Sequence, residues 1–458
     1  MTDATPVVED ARPGQSGLRQ TGRRWREFVT ESGIDTRLLG MIVALAVIWI
    51  GFHVLSSGKF ITSRNLWNLS VQSVSIGVMA TGMVLIIVTR NIDLSVGSLL
   101  GFLGYTMALI QTQGKISVLG LNLTIGTLKD HHWYTWILAL AIGIALGALI
   151  GLLQGSLVAY VGVPAFIVTL GGFLAWRGLI FRAGGTKGQT LSPLDSTFQY
   201  LGGAPDRSLG VFKTWIVVLV VCAGLVSSIV LARRRRIRHG LDTRSKVMDA
   251  GFAVGGSIAV VLGVWLVAIK YKSPTTAKSV GLAYPVLILI VVTMVMTYLA
   301  KRRRFGRYVY AYGGNPEAAE LGGINTRRTI ASTYALMGML CAVSAAIQTA
   351  RLNSATTNLG VQNELDVIAA AVIGGTSFSG GVGTIPGAVL GAVVMQSLRS
   401  GMSLLNIDSP SQDIVVGVVL VTAVAIDALL RVRNRRGMLG ALAAGVLVAA
   451  WVIQTGRP

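Results

Sequence analysis

Apolar runs of membrane-crossing length, broken by short polar stretches, recur along almost the whole chain. A crossing helix needs about 20 mostly apolar residues. On that rule the runs near 38–56, 66–88, 94–112, 135–159, 163–181, 214–232, 250–270, 283–300, 329–350, 412–431 and 437–455 qualify, and 363–400 reads as two helices with a break. The pattern predicts an all-α polytopic membrane protein. It has about ten core transmembrane helices, two inserted spans at about 214–270, and a further C-terminal candidate. Around that domain, 38–431, lie a basic tail at 1–37, partly disordered by composition, and a basic loop with an apolar segment at 432–458. The first apolar run lacks a small-residue cleavage pattern and is read as an uncleaved span.

Composition agrees: 52% of residues are hydrophobic and 13% charged, which excludes an ordinary soluble domain. The formal charge of +21 would suit nucleic acid if it covered one surface. Instead the arginines cluster at span edges, in the tail and at 233–240, 301–307 and 431–436. Alternating the spans from a cytoplasmic N-terminus puts all four clusters inside, as the positive-inside bias requires, so no nucleic-acid role is expected. Cys222 and Cys341 fall in apolar runs and offer neither a disulfide framework nor a metal set. Many of the 56 glycines also lie in such runs, as in 141–155 and 385–394, where small residues let helices approach closely in lipid.

Three polar interruptions carry the candidate chemistry. The first, Lys301 to Arg328, is an inner-face island holding one short predicted helix. Asn315 caps it, Pro316 suits its first position, Glu317 favours the positive end of its dipole, Ala318 and Ala319 follow, and Gly322-Gly323 stop it before Ile324. With no catalytic side chain, it reads as a docking lever.

The second is Thr89 to Gly101, with Arg90, Asn91, Asp93, Ser95, Gly97 and Ser98 between two apolar spans. It is either a broken segment at the inner end of a pathway or an ordinary cytoplasmic turn, with Asp93 capping the next helix in both cases. The third is Ile373 to Gly387, where Gly374, Gly375, Thr376, Gly380, Gly381 and Gly383 allow non-helical backbone at membrane depth. Just before it, Glu364 and Asp366 stand at the mouth of a span on the far side. They either meet a polar substrate or a basic partner, or only favour the helix N-terminus. Val96-Gly97-Ser98 with Gly101 matches Val382-Gly383-Thr384 with Gly387, but both fall on one side, against a simple inverted repeat.

The chain holds no G-x-x-x-x-G-K-[ST], G-x-S-x-G or H-E-x-x-H. It is therefore read as no enzyme, with no cofactor or metal of its own. His131-His132 lacks further ligands at metal spacing, and Asp427 is expected to meet Arg431 or Arg433 across a helical turn.

Taken together, NIDLSVGS at 91–98, FGRYVYAYGGNPEAAELGGIN at 305–325 and ELDVIAAAVIGGTSFSGGVGTIPGAVLGA at 364–392 resemble the membrane-spanning permeases of bacterial ABC sugar importers, in the ribose, galactose and xylose branch. The inserted block at 214–270 is similar to the xylose type. The resemblance implies a homodimeric permease of the cytoplasmic membrane that moves a monosaccharide, D-xylose or a related sugar. It further implies an ABC ATPase subunit or tandem ATPase that binds ATP and Mg, an extracytoplasmic sugar-binding protein, and a coupling helix at Asn315 to Ile324. Departures are SFSGG in place of SLAGG, Arg90 before NIDLS, and the apolar tail after Arg436. Another solute (ribose, galactose, a branched-chain amino acid or a nucleoside), or a nucleotide-independent carrier or enzyme, remains the alternative.

Overall fold

A computed structural model describes residues 36–118, 121–124, 133–184, 188–241, 243, 245–431 and 445. The tail to residue 35, His131-His132, the 432–436 loop, the 437–455 candidate and the pairing expected of Asp427 lie outside what it describes. The chain divides into two units, Met1–Ile42 with Val217–Leu262, and Val43–Ile216 with Gly263–Pro458.

The elements are α1 (Thr36–Leu55), α2 (Ser63–Val88), α3 (Val96–Gln113), a hairpin of β1 (Lys115–Val118) and β2 (Leu121–Thr124), α4 (Thr135–Ser156) and α5 (Ala165–Gly184). There follow α6 (Gly210–Arg238), α7 (Lys246–Val264), α8 (Tyr284–Arg302), α9 (Arg304–Gly314), α10 (Pro316–Leu321), α11 (Thr326–Leu352), α12 (Asn363–Ile373), α13 (Ile385–Leu404) and α14 (Ser409–Arg431). Eight helices among the described residues are long and apolar enough to cross a membrane. The all-α polytopic class holds, and the small antiparallel hairpin after α3 was not expected.

In the larger unit, α2 and α11 form the centre, with 89% and 72% of their apolar windows buried. Their contact is partly polar: the Ser75 and Ser344 hydroxyls meet at 2.6 Å, and Ser344 Oγ donates to the Ser75 carbonyl at 2.9 Å. Alongside, α4 lies on α11 through its glycine stripe. A methyl on Gly147 would stand 2.3 Å from the Gly338 carbonyl oxygen, and one on Gly151 2.1 Å from that of Tyr334. Backbone therefore touches backbone, as small residues at intervals of four allow in lipid. On the loops, the hydroxyls of Ser273 and Thr275 donate to Asp206 and hold its carboxyl below the ordinary carboxylate range.

In the smaller unit, the described parts of α6 and α7 form an antiparallel pair. Leu225 packs on Gly256, and Arg233 bonds Asp249 at 2.6 Å beside the basic turn. Only 6% of each apolar window is buried, so their side chains are left for lipid. They cover the pair of spans read from the sequence at about 214–270.

Candidate functional site

The polar interruptions predicted from the sequence converge on α12, an apolar helix of 11 residues and about 16 Å. At its C-terminal end both breaks meet the foot of the polar island. α2 ends at Val88, whose carbonyl accepts from the Gly381 amide at 3.0 Å. Arg90, in the left-handed region at φ 61°, turns the chain and forks onto α9. Its Nε donates to the Gly313 carbonyl at 2.9 Å and its Nη2 to that of Gly314 at 2.8 Å. These are carbonyls at a helix C-terminus, where a cation is favoured. Tyr310 of α9 donates from its hydroxyl to the Gly383 carbonyl at 2.8 Å.

Space at this junction is already used up. A methyl on Gly313 would lie 1.9 Å from the Val88 oxygen and 2.6 Å from the Gly381 nitrogen. Gly380 and Gly381 carry φ of 85° and 73°, torsions that other residues rarely adopt. Within the same loop Thr376 is buried, its amide bonds the Ala371 carbonyl at 3.1 Å, and Gly374 lies against Gly387 and Ala388 at the start of α13.

One residue beyond the junction, α10 begins. Asn315 accepts from the Ala318 amide at 3.0 Å through its side-chain oxygen, Pro316 follows, and Glu317 sits in the first turn, as the sequence predicted. The helix stops at Gly322-Gly323 as expected: Gly322 stays right-handed at φ −74°, and Gly323 at φ 77° makes the turn that brings the Ile324 amide onto the Ala319 carbonyl at 3.1 Å. Ala319 is buried, whereas Glu317, Ala318 and Leu321 are exposed, Leu321 at 91%.

Apart from exposed Arg90, residues 89–95 are buried or half-buried. Asp93, Ser95 and Ser98 are buried, and the Thr169 hydroxyl of α5 donates to the Ile92 carbonyl at 3.3 Å. Asp93 does not cap α3 directly, because Ser95 is the N-cap residue. An Asp93 oxygen accepts from the Ser95 amide at 2.9 Å and its hydroxyl at 2.6 Å, an Asx turn that starts two residues before the N-cap. Gln154 of α4 also donates to that hydroxyl, at 3.1 Å. Gly97, in the first turn of α3, leaves room for Glu364, whose Oε2 a methyl would approach to 2.0 Å. Segment 89–97 therefore spans from one end of α12 to the other.

At the N-terminal end of α12, Glu364 and Asp366 part company. Asp366 is 3% exposed and takes a forked pair from Arg399 of α13, at 2.9 Å from both Nε and Nη2. Arg399 also reaches Asp413 at 3.3 Å. Asp366 is thus committed to a structural ion pair. Glu364 is buried too, with Oε2 unbonded among the described residues. Beside the ion pair opens a cavity of about 500 Å³, reached by Gln72, Gln348, Gln362, Asn363 and Gln396. Sequence reasoning passed over Arg399 and these amides. Their signal was there: a carboxamide inside an apolar run is costly unless something meets it.

The profile of a transport family described as branched-chain amino acid transport system / permease component matches residues 65–424, most of the chain. The chain belongs to this permease family. The permease is 38% identical over 399 residues to the xylose transport system permease protein XylH of Haemophilus influenzae, covering 86% of this chain and 96% of that relative. It is 35% identical over 403 residues to XylH of Escherichia coli K12, covering 88% and 94%. The ribose import permease protein RbsC of Escherichia coli K12 is 30% identical over 404 residues, covering 88% and 96%. No solved structure matches it significantly. Family and apolar helices together make the permease a multi-pass inner-membrane transport component.

Proposed function

We propose that this permease is the membrane channel of an ABC importer for a monosaccharide, D-xylose or a closely related sugar. The observation that carries the reading is its alignment along nearly the full length of two xylose permeases, at higher identity than a ribose permease. Two copies form the translocation unit, and an extracytoplasmic binding protein delivers the sugar. ATP and Mg are bound and hydrolysed by a separate ATPase subunit or tandem ATPase, since this sequence carries no P-loop.

In this reading Asn315 to Ile324 is the coupling helix, seated in the ATPase through bare Leu321 and the exposed Glu317–Ala318 edge. Closure of the ATPase moves α10. One residue away, the Gly313 and Gly314 carbonyls held by Arg90 pass that motion to both breaks. Segment 89–97 and α12 then shift together, changing the side on which the pathway is open. What supports this is the short, bonded route from α10 to α12.

Glu317→Arg or Ala318→Arg places a cation and a longer side chain in the docking edge. The expected outcome is loss of ATPase co-purification with membrane insertion unchanged; undiminished association would remove the docking role. Radiolabelled uptake by the assembled importer, with D-xylose, D-ribose and D-galactose in parallel, tests the substrate.

A further inference from the structure

The cavity at the outer end of α12 has the size and lining of a small-molecule site, and nothing in the fold requires it. Ligand pockets run from about 300 to 1,000 Å³, and this one is about 500 Å³. Five carboxamides converge on it from α2, α11, α13, the first residue of α12 and the turn before it. Two pairs of them bond across the space: Gln396 Nε2 donates to Gln72 Oε1 at 2.6 Å, and Asn363 Nδ2 to Gln348 Oε1 at 3.1 Å. An amide offers two donor hydrogens and an acceptor oxygen with two lone pairs. Each pair therefore keeps a donor and an acceptor that no other described residue takes. A sugar hydroxyl, which donates and accepts at one atom, matches that offer.

Charge points the same way. Arg399 is spent on Asp366 and Asp413. Arg351, at the rim, supplies the second guanidinium of the lining, and Asp413 stands behind Arg399 without lining the cavity, so two cations and two carboxylates make up the surroundings. An anion or cation of substrate size would leave that balance, whereas a neutral polyol does not.

We propose that this amide-lined cavity is a binding subsite for a neutral monosaccharide within the permease, set at the outer end of its pathway. The proposal rests on the sugar-import reading above and adds that the permease itself selects its cargo after the binding protein lets go. Gln72, Gln348, Asn363 and Gln396 are the selecting residues. The Asp366–Arg399 pair positions α12 against α13 so that the amides face each other.

The test uses the full importer, with its ATPase and binding protein, in proteoliposomes. In Gln348→Leu and Gln396→Leu, sugar uptake per ATP hydrolysed falls about tenfold, the loss expected for one hydroxyl–amide hydrogen bond. Binding-protein-stimulated ATP hydrolysis stays near wild type. Wild-type uptake per ATP in both variants overturns the subsite. A second arm decides the matter even where those variants fail to insert. In a background of Cys222→Ser and Cys341→Ala, Ser409→Cys at the rim is labelled by an impermeant maleimide added outside. D-xylose at high millimolar concentration slows the labelling, and the anion D-xylonate does not. An unchanged rate, or equal slowing by both, overturns the proposal. If the wild-type importer carries no sugar at all, the failure lies in the import reading; if it carries sugar while both arms are negative, only the subsite falls.

Discussion

The two ends of α12 are made of different material. Its inner end is main chain against main chain, with Val88, Gly313 and Gly381 so close that a methyl on Gly313 has no place. Its outer end is side chains around open space. Close-packed backbone transmits a displacement with little slack, while a ring of amides on flexible stems adapts to what it holds. On the import reading and the proposed subsite, this contrast divides the work between force transmission at one end and recognition at the other.

The largest effect that could break this contrast is at Gly313. Gly313→Val sets a branched side chain against the Val88 carbonyl, which cannot rotate away. The expected result is no detectable uptake in cells, even where immunoblots show the protein in the membrane. Normal uptake would mean that the junction has slack, and the rigid half of the comparison would be lost.

Next is Arg399→Leu, which leaves Asp366 buried and without its forked partner. Removing one member of a buried pair costs about 3 kcal/mol or more. Thermal melting of the detergent-solubilised permease should drop clearly, and Asp366→Asn in the same chain should recover part of it. A melt equal to wild type would show that α12 and α13 are not held by this pair.

The smallest effect sharpens the mechanism rather than the fold. Arg90→Ala removes two charge-assisted bonds to the end of α9, worth about 1.5 kcal/mol each at the lower end of the range because the guanidinium is partly in solvent. The importer should assemble and hydrolyse ATP but move less sugar per ATP. A proportional loss of both activities would instead mark Arg90 as a simple structural support.

Much of this was legible in the sequence because membrane insertion imposes coarse rules. Span positions, the inserted pair and the Asn315-Pro316 helix start follow from apolar run length and capping chemistry, which are local. The junction was legible only in pieces. Both breaks and the polar island stood out as polar or glycine-rich, yet nothing local shows that Gly313 must touch Val88, 225 positions earlier in the chain. The outer cavity was less visible still. Gln72, Gln348 and Gln396 sit in three different apolar runs, and so few amides per helix give no periodic signal. Apolar periodicity also misleads about depth: α2 and α6 read alike as hydrophobic spans, but α2 lies in the centre of its unit and α6 faces outward.

The backbone contact between α4 and α11 has an evolutionary reading. A bulky residue at Gly147 or Gly151 meets carbonyl groups, which carry no genetic variation of their own. No second-site replacement on the facing helix can trim the obstacle, so a suppressor screen begun from such a mutant should return true revertants and smaller residues at the same codon, and little else.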